Sequence, residues 1–325
     1  MPMTLNDMKV GMTDKVSQQV VDIFVRESEI LQVLPFDNCI SPEGGSTLTY
    51  SYLQTLLPSI ASFRKLYGEY TASEATQVRK TADLKIFGGK FTMDRVLKQA
   101  EGKYNNMAFQ MEQKILAAIG LFHYTLINGD ATTNDMEFDG LDKMLAGTTS
   151  EFNADGTIDI STMAALKENA DQLYEALQNL IKATSADALL MNQAMISKIQ
   201  TLARILGYKT ESEEAFGRKI TTMDGIRFMD LKNVYSVSDG KAVANPCVPI
   251  VGGMTDIYAV RFNVNDGFHG VTLTGNSGIT QYVPDFSKPG PVKDGEVEMV
   301  AATVLKNTQH AGVLRNIQLV AGSEE

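Results

Sequence analysis

Cys247 and His269 are the residue types from which a nucleophilic site could be built, a thiol and an imidazole able to take its proton. The thiolate is the reactive form, and near neutral pH it needs a cation, a helix start or a metal beside it. Pro246 and Pro249 flank Cys247 and supply none of these, so a buried, inert cysteine is the default reading and a Cys247/His269 enzyme the distant alternative. His123, His269 and His310 have no second histidine at ligand spacing, and no HExxH pattern occurs. Cys39 and Cys247, far apart and without a CxxC or CxxH companion, indicate neither a disulfide framework nor zinc ligation. Gly88-Gly89-Lys90 is followed by Phe91, without the spacing or the Ser/Thr of a phosphate-binding loop, and reads as a twist or bulge in a strand. Glu151, Asn153, Asp155, Gly156 and Asp159 partly imitate a calcium loop, but the position that needs a bidentate Glu holds Thr162, so a polar turn is expected. No catalytic, cofactor-binding or metal residue is assigned, and no cofactor.

The elements around these residues carry more information. With 325 residues and 44% hydrophobic content the chain can bury a substantial core. No apolar run approaches the ~18 residues needed to span a bilayer, and the N-terminus lacks a basic segment followed by an apolar one. A net charge of −10 argues against broad nucleic-acid binding, which depends on Lys and Arg, but not against enclosing nucleic acid. The acidic cluster Glu211, Glu213 and Glu214 reads as a solvated loop, and the paired methionines Met107, Met111, Met191 and Met195 as gap-fillers in a core.

Residues 46–93 form two runs of alternating polarity around about twenty residues without periodicity, too long for a structureless connection inside a compact domain. Leu48, Tyr50 and Tyr52 interleave with Thr47, Thr49 and Ser51, and Val78, Ala82, Leu84 and Ile86 interleave with Arg79, Thr81, Asp83 and Lys85. The pair predicts a hairpin arm that leaves its own domain, and an isolated two-stranded ribbon is marginal in water. Its tip mixes Phe63, Leu66 and Tyr67 with Arg64 and Lys65, a composition suited to an inter-subunit contact.

Before the arm, Thr13 or Asp14 caps a predicted helix striped by Val16, Val20, Ile23, Phe24 and Leu31. After it, Met107, Met111, Ile115, Ile119, Phe122 and Leu126 stripe a helix over 104–127, roughly 36 Å long, which Asn128-Gly129-Asp130 stops through a left-handed glycine. A helix capped near Ser161 carries Leu166, Ala170, Leu173, Leu177 and Leu180. Then come a short strand, Ala188-Leu189-Leu190-Met191, and a helix with Ile196, Ile199, Ala203 and Leu206 that ends at Gly207. Strands are predicted over 218–229 with Asp224-Gly225 as a turn, and over 257–262, 268–273, 297–305 and 313–320. The whole reads as an α+β protein.

Taken in order, the arm ending Lys85-Ile86-Phe87-Gly88-Gly89-Lys90-Phe91 with Asp94-Arg95, the long helix, Ile127-Asn128-Gly129-Asp130, Phe138-Asp139-Gly140-Leu141, Leu190-Met191-Asn192, Phe216-Gly217-Arg218-Lys219, Asp224-Gly225-Ile226 and Ile257-Tyr258-Ala259-Val260-Arg261-Phe262 resemble the major capsid protein of tailed bacteriophages. That family has the Hong Kong 97 capsid fold, which the encapsulins share as more distant relatives.

The resemblance implies an N-terminal arm and helix over 1–45 and an extended loop over 46–93, lying on an adjacent subunit. It also implies a peripheral domain over 94–188 with the long helix as spine, an axial domain over 189–286, and C-terminal strands over 287–325 completing the peripheral domain. It further implies a non-enzymatic subunit of an icosahedral head, found in the virion and assembled in the bacterial host cytoplasm. Its partners would be itself, in pentamers and hexamers, a portal, and the enclosed double-stranded DNA, held without sequence-specific binding; no membrane is involved. Some relatives carry a long N-terminal scaffolding region, whereas about 45 residues precede this arm, which implies a separate scaffolding protein or none. Some also join a loop lysine to a neighbour's asparagine. Lys65 is suitably placed, but no asparagine and carboxylate match, so no crosslink is expected. An encapsulin-type compartment is the nearer alternative.

Overall fold

A computed structural model describes residues 28–40, 45–57, 59–99, 106–153, 155–207, 211–215, 218–223, 225–238, 240–274 and 278–320. The predicted cap at Thr13 or Asp14 and the stripe positions Val16, Val20, Ile23 and Phe24 lie outside these residues. Leu31 falls in a short helix, Glu29–Val33, whose N-cap is Ser28.

The strands, in chain order, are β1 (Phe36–Asn38), β2 (Thr49–Leu57), β3 (Thr76–Asp83), β4 (Lys85–Asp94), β5 (Glu151–Phe152), β6 (Ile158–Asp159), β7 (Ala188–Met191), β8 (Glu211–Ala215) and β9 (Arg218–Met223). They continue with β10 (Ile226–Asp230), β11 (Asn233–Ser238), β12 (Lys241–Pro246), β13 (Met254–Val260), β14 (Phe268–Thr272), β15 (Thr280–Tyr282), β16 (Val292–Leu305) and β17 (Ala311–Gln318). The spine helix runs Asn106–Asn128. Its predicted stripe is the buried face: Met111, Ile115, Ile119, Phe122 and Leu126 are each at most 4% exposed. It lies on β4 and β16, where Phe122 stacks on Phe87 at 5.8 Å.

Two larger sheets organise the body. In the first, β16 is the centre. It pairs antiparallel with β4 along one edge and with β14 and β15 along the other, and β1 adds to β14 in parallel. The second is eight-stranded, with β7 held between parallel β10 and antiparallel β13, and β17 beyond β13. Strands β14 and β15, within the stretch 189–286, therefore join the sheet under the spine helix, while β17 joins the strands around β7.

The second sheet is a wall between two cores. Ala188, Leu190, Tyr258, Val260 and Val313 face the core of the spine helix. Leu189, Met191, Ile257, Ala259 and Leu314 face a core built on helices Ala170–Thr184 and Gln193–Leu206. A strand buried on both faces needs no polar alternation, which is why Ala188 to Met191 is wholly apolar.

Local readings are corrected in several places. Gly129 does not stop the spine helix through a left-handed conformation. It is needed because a Cβ there would sit 2.2 Å from the Phe138 carbonyl oxygen, where Gly140 N–H also returns to Gly129 O at 2.8 Å. Gly88 and Gly89 form no bulge, since the β4/β16 register runs unbroken from Val292↔Asp94 to Ala301↔Lys85. The predicted single helix after Ser161 is two, Met163–Glu168 and Ala170–Thr184, capped by Thr162 and broken at Asn169, whose side chain donates to Asp159 O at 2.8 Å. Glu211, Glu213 and Glu214 stand in a paired strand, β8, not in a loop.

Candidate assembly interface

Tyr50, Tyr52 and Gln54 alternate along β2 and turn one face of the β2/β3 hairpin onto the body of the same subunit. The Tyr50 hydroxyl donates to Asp37 Oδ2 at 2.6 Å, its ring meets His269 edge-on at 6.0 Å, and Lys306 Nζ lies 5.5 Å over that ring. Burial and then the hydrogen bond to Asp37 push the Tyr50 phenol well above its ordinary range. Burial alone would raise the Asp37 carboxyl, but the Tyr50 hydroxyl and the Asn38 N–H outweigh it and hold it low. Deeper in, Gln54 Nε2 donates to Leu305 O at 3.2 Å.

The arm's root is therefore docked on its own subunit. Leu48, expected on the same face, precedes the strand and is exposed. Ile86 is also not part of the return strand: β3 ends at Asp83, and the alternation continues into β4, which pairs with β16.

Beyond the root the hairpin is bare. Among the described residues between β2 and β3 no regular element forms, and Phe63 is fully exposed, with Leu66 at 81% and Tyr67 at 95%. The tip nevertheless has local order. Gly68 N–H donates to Lys65 O at 3.0 Å, Arg64 Nη1 donates to Gly68 O at 3.2 Å, and the Arg64 guanidinium lies 5.3 Å from the centre of the Tyr70 ring. Tyr67 takes φ +65°, sparsely populated for a residue with a side chain, and the neck is tied by Ile60 N–H to Ser73 Oγ at 3.0 Å. The five residues singled out from the sequence, Phe63 to Tyr67, thus stand together on one bend. Burying its three large apolar side chains would release on the order of 1 to 3 kcal/mol each.

The alternative chemistry does not assemble. Cys247 Sγ donates to Gly120 O at 3.7 Å, whereas His269 Nδ1 donates to Gly267 O at 3.4 Å and its ring faces Tyr50; no contact joins the two. Burial, and then Asp230, push the Cys247 thiol up to about 12, away from the thiolate. Neither residue lines the groove of about 590 Å³ between the spine helix and β11. In the calcium-like stretch, Glu151 is engaged by Arg315 Nε at 2.8 Å and Asp159 by the Ser161 N–H at 2.8 Å. No group of three or more His, Cys, Asp or Glu side chains able to hold a metal occurs among the described residues. Nor is any described helix long and apolar enough to cross a membrane.

Sequence reasoning missed the Arg315 cluster, in which one guanidinium holds Asp142, Glu151 and Asp256 (2.9 Å), and Tyr258 donates to Asp142 at 3.0 Å. It also missed the β11/β12 ribbon, which is exposed on nearly every residue and so carries no alternation.

No protein-family model matches the chain, and no curated protein sequence does. Solved structures do. The holo-SrpI encapsulin complex from Synechococcus elongatus PCC 7942 matches with a TM-score of 0.57 at 12% identity, over 91% of this chain and 89% of that one. A structure from Mycobacterium phage Bobi matches with a TM-score of 0.53 at 15% identity, over 91% of both chains. The capsid of a native GTA particle matches with a TM-score of 0.53 at 10% identity, over 89% of both. At these identities the likeness is one of fold, and the fold is the Hong Kong 97 capsid fold, α+β, as the ordered motifs implied.

Proposed function

We propose that this chain is the major head protein of a tailed double-stranded DNA bacteriophage or prophage, a non-enzymatic subunit that assembles into an icosahedral shell. The observation that carries this reading is the hairpin itself: rooted on its own subunit by Tyr50 and Gln54, it projects Phe63, Leu66 and Tyr67 with no cover. Such a tip is stabilised only by another molecule, and a fold that offers similar edges in five-fold and six-fold rings makes a second copy the natural one. In this reading residues 46–93 are the extended loop, the spine helix anchors the peripheral domain, and the sheet around β7 belongs to the axial domain at ring centres. Pentamers, hexamers and a portal follow from the same reading, as does assembly in the host cytoplasm. A net charge of −10 suits confinement of DNA rather than attraction to it.

The fold shared with an encapsulin favours one second reading, a protein compartment around an enzyme cargo. Negative-stain microscopy of the expressed protein, followed by analysis of nuclease-treated particles, separates them. Shells that retain double-stranded DNA when made with the rest of the phage support the first reading. Shells that hold a protein cargo and no DNA support the second, and a chain that stays monomeric at every concentration and salt, with and without scaffold, refutes both.

A further inference from the structure

The groove of about 590 Å³ between the spine helix and β11 is used by nothing described so far. The spine helix gives it one wall through Leu116, Ile119, Gly120 and His123, whose spacing puts all four on a single helical face. Tyr235, Pro246 and Ile250 supply apolar surface on the other sides, and Leu116 and Tyr235 are 37% and 71% exposed. Asp230 and Lys232 also line the groove and bring one charge of each sign, so its occupant is not selected by net charge. Selection falls to apolar contact and to position.

Position points to one segment of this same chain. Ser28, the first described residue, is fully buried, and its hydroxyl is bonded to Nε2 of His123, a wall residue of the groove. Ser28 is extended, at φ −116° and ψ 114°, so the chain before it does not continue the helix Glu29–Val33. The residues just upstream carry the stripe Val16, Val20, Ile23 and Phe24, for which the sequence predicts a helix with one face to bury. Phe24 is four residues from Ser28, about 6 Å along a helix and no more than about 14 Å fully extended. It is therefore tethered within reach of the groove, where a short tether holds a segment at an effective concentration on the order of millimolar.

We propose that the groove between the spine helix and β11 is the docking site of the chain's own segment 13–27, laid along the spine helix from His123 towards Leu116. The two helices share one rise per residue, so Phe24 comes level with Ile119, four residues from its own anchor, and Val20 with Leu116. The docked stripe covers Leu116 and Tyr235 and closes the groove to other ligands. The contact is made within one chain and does not depend on the reading of the protein as a shell subunit.

The test is read on the unassembled full chain. The sequence has no tryptophan, so Tyr235→Trp places a single reporter at the groove wall. Its emission should be blue-shifted and shielded from iodide at every protein concentration. Adding Val20→Asp and Phe24→Asp should shift the emission to the red and make quenching several-fold stronger. Equal quenching with and without these two substitutions overturns the proposal, and shielding that appears only as concentration rises overturns it in favour of a second copy. Should the aspartate variant fail to fold, Val20→Cys with Leu116→Cys decides. A short bismaleimide should join the two thiols within one chain, giving the mass of a single 35.5 kDa chain, so substituted, plus one linker, while the buried Cys39 and Cys247 stay unmodified. Linkage between chains, or a separate adduct on each thiol, overturns the assignment and leaves the shell reading untouched.

Discussion

The Ser28 hydroxyl donates to His123 Nε2 at 2.7 Å while His123 Nδ1 donates to the Leu231 carbonyl at 2.8 Å, so this buried imidazole is neutral, with its proton on Nδ1. Ser28 also accepts from Leu31 N–H at 3.1 Å, capping the short helix that leads into the body. Burial, with a smaller push from Lys232, lowers the His123 pKa to about 4 against the Leu231 hydrogen bond. Burial and Lys306 take His269 to about 4 as well, against Gly267 and Asp37. Both folded values lie below the ordinary 6.5, so between pH 6.5 and 4 the unfolded chain binds protons that the folded chain does not. Stability is full above that window, falls as pH drops through it, and stops falling from this cause below it, with each histidine contributing roughly 3 kcal/mol. Imidazole NMR signals titrating near pH 4 are expected; a His123 midpoint near 6.5 would refute the assignment.

Truncating the tip tests assembly apart from folding. Phe63→Ala, Leu66→Ala and Tyr67→Ala together should change the unfolding free energy of the monomer in urea by less than about 0.5 kcal/mol per site, since these side chains touch little within the subunit. The concentration needed for shells should rise by two orders of magnitude or more, roughly 1 to 3 kcal/mol for each side chain lost from an interface. Shells at unchanged concentration would show the tip to be dispensable.

Gly88 admits no side chain. A Cβ there would sit 1.9 Å from the Val297 carbonyl oxygen, part of the backbone to which β4 is paired. Gly88→Ala should therefore cost about 3 kcal/mol by forcing the strands apart. Gly278→Ala, with nothing within 4 Å of the new methyl, is the control and should be near neutral. Equal stability of the two variants in urea would count against the close approach.

Arg315 is 16% exposed and pairs with three carboxylates at once. Arg315→Ala leaves Asp142, Glu151 and Asp256 facing one another and should cost about 3 to 5 kcal/mol, part of which Asp256→Asn should return. A loss below 1 kcal/mol in equilibrium unfolding would mean that water or other groups already do the same work.

The thiols provide a check on the enzymatic alternative. Burial pushes Cys39 up to about 11 and Cys247 up to about 12, so native protein at pH 8 should react with a thiol reagent only on unfolding, when both cysteines appear. Fast labelling of Cys247 in the native state would reopen the enzymatic alternative.

The parts legible in the sequence were those whose burial has a period. The spine face from Met111 to Leu126 and the Leu166 to Leu180 stripe could be read because one side of a helix is dry and the other wet. The hairpin was legible for the same reason at Tyr50 and Tyr52, but its end was not, because alternation runs through Leu84 from a solvent-facing strand into one paired with β16. The β11/β12 ribbon left no pattern since Tyr235 and Val237 on one side are as exposed as Ser236 and Ser238 on the other. Arg315 was invisible because its partners are 59, 164 and 173 residues away, and only the fold brings them together. At the candidate site, the tip residues stood out by composition alone.

In the proposed shell, the docked root has a consequence for how copies meet. Because Tyr50, Tyr52 and Gln54 fix the direction of the arm when the chain folds, an encounter does not have to orient a floppy ribbon, and the entropic penalty of association is reduced. Contacts of modest strength then suffice to join subunits. Weak joints can also open again, so a growing lattice can discard a misplaced copy before its neighbours lock it in, a form of error correction that a stickier, more flexible arm would forfeit.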